Sequence, residues 1–397
     1  MSDAPNARVL AFEGGLTARE RLAQYLPEQK IPTALAAGEA VFAVVGGPAE
    51  GQAALGAALR SAGAFAQLEE HLLVVAGTRH AFAAARNALE GGGRALAGEL
   101  LRALDAAATA PPSVRLRNYS LALDEGAQVM GILNVTPDSF YDGGAYGSLD
   151  RARARAAEMV ALGARVIDIG GQSYAAGNAR IAAEEERARV VPVVEALVRD
   201  RLGVALSIDT FKSVVAEAAL DAGADLINDC SGLSDSRLAG VVARYDAALV
   251  VMHLKGELNV READYHYDDA LEEISGFLRE RTERALAAGV ARDALLVDPG
   301  LEFGKEPATD LEILQRFGDL RSLGYPILLA ASRKSFIGRI FERPAKELLV
   351  PSLAAAAAGI SAGAALLRVH DVAETVQLAR MLAAVRAGRN HRSASAV

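Results

Sequence analysis

GILNVTPDSF, residues 131–140, is an apolar run too short for a helix that breaks into a polar cluster around Pro137. Seven more stretches repeat the pattern: RVIDIGGQS (165–173), ALSIDTFK (205–212), DLINDCSG (225–232), ALVVMHLKG (248–256), LLVDPGLEFG (295–304), ILLAASRKS (327–335) and ALLRVHD (365–371). Each has the length and β-branched content of a strand buried on both faces. Helix-sized segments separate them, such as LDRARARAAEMVALGA at 149–164. Eight strands alternating with helices predict an α/β fold, a (β/α)8 TIM barrel. In that architecture chemistry gathers where the strands end, at Asn134, Asp168, Asp209, Asn228, His253, Asp298, Lys334, Arg368 and His370.

The chain of 397 residues is longer than the roughly 250 one barrel needs. Residues 1–108 are alanine-rich and carry candidate strands at ARVLAF, VFAVVGG and HLLVVAG, with helical segments near 17–26, 50–62 and 79–90. They predict a small α/β N-terminal domain. A linker is expected at 109–117, because Pro111-Pro112 cannot sit inside a regular element. The barrel is then expected over 118–387 and a disordered tail over 388–397. The Gly-Gly-Pro at 46–48 and the glycines at 91–93 lack phosphate-loop spacing and are read as ordinary turns.

A net charge of −8 without a basic cluster speaks against nucleic acid or an anionic membrane as partner. The start of the chain has neither a basic nor a long apolar stretch, so a cytoplasmic protein without a membrane partner is expected. The single cysteine, Cys230, excludes an internal disulfide and is read as a buried structural thiol. No cysteine or histidine spacing suggests a transition-metal site.

The strand-end residues imply a particular ligand set. Asp209, Asn228 and Asp298 at one mouth can accept and donate hydrogen bonds around a flat heterocycle rich in N–H groups. Any one of them alone could be a helix cap. Lys334 and Ser335 precede a helix, and Arg368 and His370 alternate onto one strand face, a cationic group suited to a phosphate. A structural pairing of Arg368 with Asp371 is the competing reading. Together these residues imply a flat nitrogen heterocycle, a phosphorylated leaving group and an anionic second substrate. The glycine-flanked loop NVTPDSFYDGG at 134–144 suits closure over such ligands.

NVTPDSFYDGG, VIDIGGQS, SIDTFK, INDCSG, VMHLKG, DPGLEFGK, SRKSFIG and RVHD, in this order, resemble dihydropteroate synthase, the pterin-binding barrel of folate biosynthesis, over about two-thirds of the chain. The resemblance implies a transferase that condenses 6-hydroxymethyl-7,8-dihydropterin pyrophosphate with p-aminobenzoate, giving 7,8-dihydropteroate and pyrophosphate with Mg²⁺. Catalysis would rest on Lys334, Asp209 and Asp298. The pterin would be held by Asp209, Asn228, Met252, Asp298, Phe303 and Lys334, and the pyrophosphate by Asn134, Arg368 and His370. Ser335, Phe303 and Tyr174 would hold the aminobenzoate, and Asn134 the metal. A homodimer formed through helices away from the mouth is also implied; the family is a sulfonamide target, and Tyr174 and Ala175 in the second loop leave this chain's own sensitivity open.

The chain departs from that pattern after the second run. The family reads Gly-Gly-Glu-Ser-Thr-Arg-Pro-Gly where this chain has Gly170-Gly171-Gln172-Ser173-Tyr174-Ala175-Ala176-Gly177. An alanine at the arginine position removes a bidentate anion contact, for which Arg180 is a candidate replacement or else a solvated arginine at a helix start. Lys255-Gly256-Glu257-Leu258 lacks a proline often found there, and Glu302 stands where the family has a small residue. The alternatives are a non-catalytic or altered-substrate pterin-binding paralogue, and a corrinoid methyltransferase relative that would not need Lys334-Ser335 with Arg368 and His370.

Overall fold

A computed structural model describes residues 6–10, 26, 41–69, 72–109, 111–136, 144–174, 177–260 and 264–394. Eight parallel strands close into the expected barrel: β7 (Gln128–Asn134), β8 (Val166–Gly170), β9 (Ala205–Asp209), β10 (Leu226–Asp229), β11 (Ala248–Met252), β12 (Leu295–Asp298), β13 (Ile327–Leu329) and β14 (Ala364–Val369). Closure comes from β14 pairing with β7, with Arg368 opposite Met130. The strands read as unbroken apolar runs because both of their faces are covered. Outward side chains such as Ile167, Ile208, Leu249 and Val297 pack on the surrounding helices. Inward ones at the lower end, including Met130, Val166, Leu226 and Leu366, form a separate core.

That lower core is stoppered by a hairpin, β5 (Ser113–Arg115) with β6 (Ser120–Ala122), which contributes Val114, Leu116 and Leu121. Asp225 fastens it: one carboxylate oxygen accepts from the Asn118 backbone N–H at 3.2 Å and the Asn118 amide at 2.8 Å, the other from the Leu206 N–H at 2.9 Å. The segment expected as a linker, 109–117, therefore carries a strand and begins the barrel floor. Its Val114 is fully buried, which the polar and proline-rich surroundings conceal.

The N-terminal unit is an antiparallel sheet of order β1-β2-β4-β3, from β1 (Asn6–Val9), β2 (Val41–Gly46), β3 (Phe65–Glu69) and β4 (Leu72–Gly77). Helices α1 (Ala49–Ser61), α2 (Arg79–Asn87) and α3 (Gly91–Ala108) accompany it. Val45, Leu73 and Val75 meet Leu55, Leu59, Leu96 and Leu100 on one side, while Phe42, Val44 and Val74 pack with Leu10 and Leu26 on the other. The glycines at 91–93, expected as a turn, open α3, and Gly93 packs closely against Ala54 and Leu89. The helix expected near 17–26 lies outside the described residues, apart from Leu26.

This unit docks on the barrel. The buried Arg8 guanidinium reaches Asp269 at 2.9 Å, the Val9 N–H donates to Ser322 Oγ at 2.8 Å, and Arg321 donates to the Ala107 carbonyl at 2.6 Å. Asp269 is the N-cap of the helix Ala270–Ala287, its side chain accepting the Glu272 N–H. Around the barrel run α4 (Gly144–Ala161), α5 (Ala183–Asp200), α6 (Ser213–Asp221), α7 (Leu238–Arg244), α8 (Ala270–Ala287), α9 (Pro307–Gln315), α10 (Ser335–Phe341), α11 (Leu349–Ala362) and α12 (Val372–Ala394). The tail expected to be disordered from 388 is instead helical through Ala394. Alanine and arginine sustain a helix past the single Gly388. Among the described residues no helix is long and apolar enough to cross a membrane.

Candidate active site

Strand register sets the centre of the mouth. Asn228 lies opposite Asp209, Asp298 opposite Met252, and Asp168 opposite Ser207. Arg368 enters from β14 and bridges two carboxylates, its Nε donating to Asp168 Oδ2 at 2.6 Å and its Nη2 to Asp209 Oδ2 at 2.6 Å. Asp168 also accepts from Ser207 Oγ at 2.6 Å and Asn228 Nδ2 at 3.2 Å. The expected alternative, an Arg368–Asp371 pair, does not form. Asp371 is taken by Arg333 through two hydrogen bonds of 2.8 and 2.7 Å.

One acceptor in this cluster is left open. Asp209 Oδ1 is buried and has no hydrogen-bond partner, an arrangement that costs stability unless a ligand donates to it. Burial raises the Asp209 carboxyl to about 7, an effect that Asp168 increases and Arg368 opposes. Burial likewise pushes Asp298 above its usual range, although its Oδ1 accepts the Gly300 N–H at 2.7 Å. Gly300 has φ of 68°, and a Cβ there would run into the His253 carbonyl, so only glycine fits.

Over these acids stands Lys334, at the N-cap of α10. Its Nζ donates to the Leu301 carbonyl at 3.1 Å and lies 4.7 Å from the centre of the Phe303 ring. Met252, Phe303, Tyr174 and Cys230 meet in one small apolar cluster beside the acids. The Tyr174 hydroxyl points into the protein, towards Glu186 Oε1 at 3.3 Å and the Asp209 carbonyl at 3.4 Å, and burial raises its pKa well above the usual value. Cys230 is buried as expected, with its thiol held neutral by burial.

At the rim, Asn134 is exposed, and its Oδ1 and Asp209 Oδ2 both flank Gly170. His370 is exposed and pairs with Ser332 Oγ at 3.2 Å, and partial desolvation and the nearby Arg368 lower its pKa. His253, just past the end of its strand at Met252, is buried, 2.8 Å from Lys305 Nζ and edge-on to Phe277. Ser335 is exposed at the start of α10, but the next N–H, of Phe336, donates to Glu302 Oε1 at 2.7 Å.

The second loop is anchored in its own way. Gln172 Oε1 accepts from Lys212 Nζ at 2.8 Å, and Lys212 also binds Glu186 at 2.6 Å. Arg180, the candidate replacement for the missing arginine, donates to the Leu258 carbonyl at 2.7 Å and lies 3.6 Å from Glu257. Ala175, Ala176 and most of the first loop, 137–143, lie outside the described residues.

Lys305 escaped sequence reasoning, and so did the partners of Asp168. Asp168 was visible as a strand-end acid, yet only folding shows it as the shared partner of Arg368, Asn228 and Ser207. Lys305, just past the FG pair, supports the sixth loop by donating to the Phe303 carbonyl at 2.9 Å. Burial lowers this lysine to about 7, while Asp310 and Asp298 pull the other way.

Residues 130–370 match the family model of pterin binding enzymes. The dihydropteroate synthase of Bacillus subtilis is 41% identical over 273 residues, which cover 68% of this chain and 93% of that one. Among solved structures, dihydropteroate synthase of Xanthomonas albilineans with 4-aminobenzoic acid is 40% identical with a TM-score of 0.65, covering 70% of this chain and 98% of that one. The same enzyme in complex with 7,8-dihydropteroate is 39% identical with a TM-score of 0.62, covering 70% and 99%. The aligned barrel is thus nearly a whole relative, with the N-terminal unit added ahead of it. The chain belongs to the dihydropteroate synthase family of pterin-binding enzymes.

Proposed function

We propose that the mouth joins 6-hydroxymethyl-7,8-dihydropterin pyrophosphate to p-aminobenzoate, yielding 7,8-dihydropteroate and pyrophosphate. The open, buried Asp209 Oδ1 carries this reading: beside Asn228 and Asp298 it is an acceptor awaiting the ring N–H and amino groups of a pterin. Asp209, Asn228, Asp298 and Lys334 hold the pterin edge, with Met252 and Phe303 as apolar walls. Arg368, His370 and Asn134 receive the pyrophosphate, and Ser335, Phe303 and Tyr174 form the aminobenzoate side.

The aniline nitrogen lone pair forms the new C–N bond to the pterin methylene as the C–O bond breaks. Pyrophosphate leaves with that electron pair, and the nitrogen releases its proton. Aniline nitrogen is neutral at pH 7, so no base is needed to uncover its lone pair. Lys334 and Arg368 offer fixed positive charge near the departing oxygen, while Asp209 and Asp298 stabilise charge spreading into the pterin.

Mg²⁺ is part of the proposal. Among the described residues no group of three or more His, Cys, Asp or Glu could hold a metal. Asn134 would offer one oxygen to a Mg²⁺ ion, which would supply charge neutralisation at the leaving group. We also place the enzyme in the cytoplasm, in keeping with its single buried free thiol. A homodimer through α11 and α12 is supported by Val350 and Met381, 73% and 63% exposed on these two helices.

The test is a steady-state assay of the full chain with dihydropterin pyrophosphate, p-aminobenzoate and Mg²⁺, following pyrophosphate and dihydropteroate together. Both products in equal amounts, lost in Lys334→Ala and Asp209→Ala, are expected. Pyrophosphate without dihydropteroate would overturn the identity of the second substrate, and neither product, with pterin still bound, would leave a binding protein.

A further inference from the structure

The sixth loop, which sets the Phe303 ring against the Lys334 ammonium, turns sharply and often. Three of its residues are left-handed, Gly300, Glu302 and Gly304, with φ of 68°, 72° and 68°, and one of them is not a glycine. Backbone of this kind keeps a single shape only where its surroundings hold it. Two side chains do so by taking consecutive carbonyls. The buried Lys305 donates to that of Phe303 at 2.9 Å, and the Tyr267 hydroxyl donates to that of Gly304 at 2.7 Å. Tyr267 belongs to the fifth loop, and the two loops touch so closely that a Cβ on Gly304 would run into the Lys255 carbonyl. The tyrosine is the fixed partner of the pair. Lys255 Nζ lies 3.9 Å from the centre of its ring and is itself tied to the His266 carbonyl and, at 2.7 Å, to Glu273. Two residues further on, Asp269 caps α8 and is gripped by Arg8 and Arg316.

We propose that Tyr267 is a positioning residue: its hydroxyl holds the sixth loop at Gly304, so that the neighbouring Phe303 ring stays against Lys334 as a wall of the substrate site. The inference rests on the reading of Phe303 and Lys334 as parts of that site, and Tyr267 acts on it only through the loop. Without this hydrogen bond the Gly304 carbonyl can turn to water, and Phe303 moves with it. The pterin keeps Asp209, Asn228 and Asp298 as partners, whereas the aminobenzoate side depends more heavily on Phe303, so the second substrate loses more.

Tyr267→Phe removes one hydroxyl and keeps the ring beside Lys255. In the full chain it should raise the KM for p-aminobenzoate roughly two- to tenfold, the worth of one hydrogen bond, and move the KM for dihydropterin pyrophosphate much less. Tyr245→Phe, which loses a 2.6 Å bond to Asp221, is the control for lost stability alone and should leave both KM values as they are. A second reading needs no turnover. The chain has no tryptophan, so Phe303→Trp supplies a lone indole whose quenching by acrylamide follows the loop. Adding Tyr267→Phe should raise the quenching constant about twofold or more as the loop loosens, and adding Tyr245→Phe should not. Lys255→Met, which frees the ring but keeps the hydroxyl, should move both readings the same way and decides the matter if Tyr267→Phe does not fold. Unchanged quenching, or KM shifts of equal size for the two substrates, would overturn the proposal. If the natural chain forms no dihydropteroate while the indole responds to Tyr267→Phe, the proposed reaction falls and the hold of Tyr267 on the loop stands.

Discussion

Arg368 is the single side chain whose loss should be felt most. It joins two carboxylates that are almost wholly buried, Asp168 and Asp209, with a contact of 2.6 Å to each. Replacing it by leucine fills much of the volume but leaves two acids facing each other without a counter-ion. Breaking a buried pair in this way costs about 3–5 kcal/mol. The loss should depend on pH. Asp209 already binds its proton more tightly in the folded protein, at about 7, than in the unfolded chain, and Arg368 is the group holding that value down. A raised acid pKa means stability falls as pH rises from the unfolded value through the folded one. Arg368→Leu raises the folded value further, so the variant should be closer to wild type at pH 5.5 than at pH 8.5. Each additional pKa unit adds about 1.4 kcal/mol to that difference. Urea unfolding at both pH values measures it, and Asp209→Asn added to Arg368→Leu should restore stability at pH 8.5. A loss below about 1 kcal/mol at pH 8.5, or one independent of pH, would refute the electrostatic account of this cluster.

Lys334→Ala should lower dihydropteroate formation by roughly 10²–10³-fold, since a positioned charge near developing charge is worth that much, with the urea midpoint nearly unchanged; initial rates and unfolding curves check both. Arg8→Leu leaves Asp269 with Arg316 as its counter-ion and should cost about 1–3 kcal/mol at pH 7. Asp269 is held well below the usual carboxylate range despite its burial, by Arg8 and Arg316. Such an acid contributes stability above its unfolded pKa and loses it as pH falls, so thermal melts should show the variant's deficit shrinking below pH 4. Asp225→Ala frees the buried Leu206 N–H and releases the two Asn118 donors that hold the hairpin, and should cost about 1–3 kcal/mol in urea unfolding, with faster hydrogen exchange at the Leu206 amide.

The barrel could be read from the chain because each strand is buried on both sides and so appears as an unbroken apolar run. Asp209, Asn228 and Asp298 could be placed for the same reason, standing where those runs stop. The edge strand Phe65–Glu69 was hidden, since it pairs on one side only and carries Gln67 and Glu69. The hairpin under the barrel was hidden too, its few apolar residues sitting among arginines and prolines. Arg368 is placed at the right mouth by its strand, but its acid partners there are not foreseen. Its partner Asp168 is 200 residues away in sequence, and which acid an arginine meets is decided by strand order and register, not by local pattern. Glu302 was visible as a departure, yet its fold-back onto Phe336 depends on a left-handed turn that sequence alone does not announce.

The contact between Arg8 and Asp269 spans 261 positions of the chain. A ribosome adding about 5–20 residues per second finishes the N-terminal unit some tens of seconds before its docking partner exists. Through that interval Arg8 and the surface around Val9 must stay in water or find a temporary companion. The barrel waits as well, because β7 cannot close its seam until β14 has been made. Birth of this protein is thus governed by its last-made strand: the unit synthesised first is among the last to reach its final environment. A chaperone that shields the nascent N-terminal sheet would act in that gap, well before any substrate could bind.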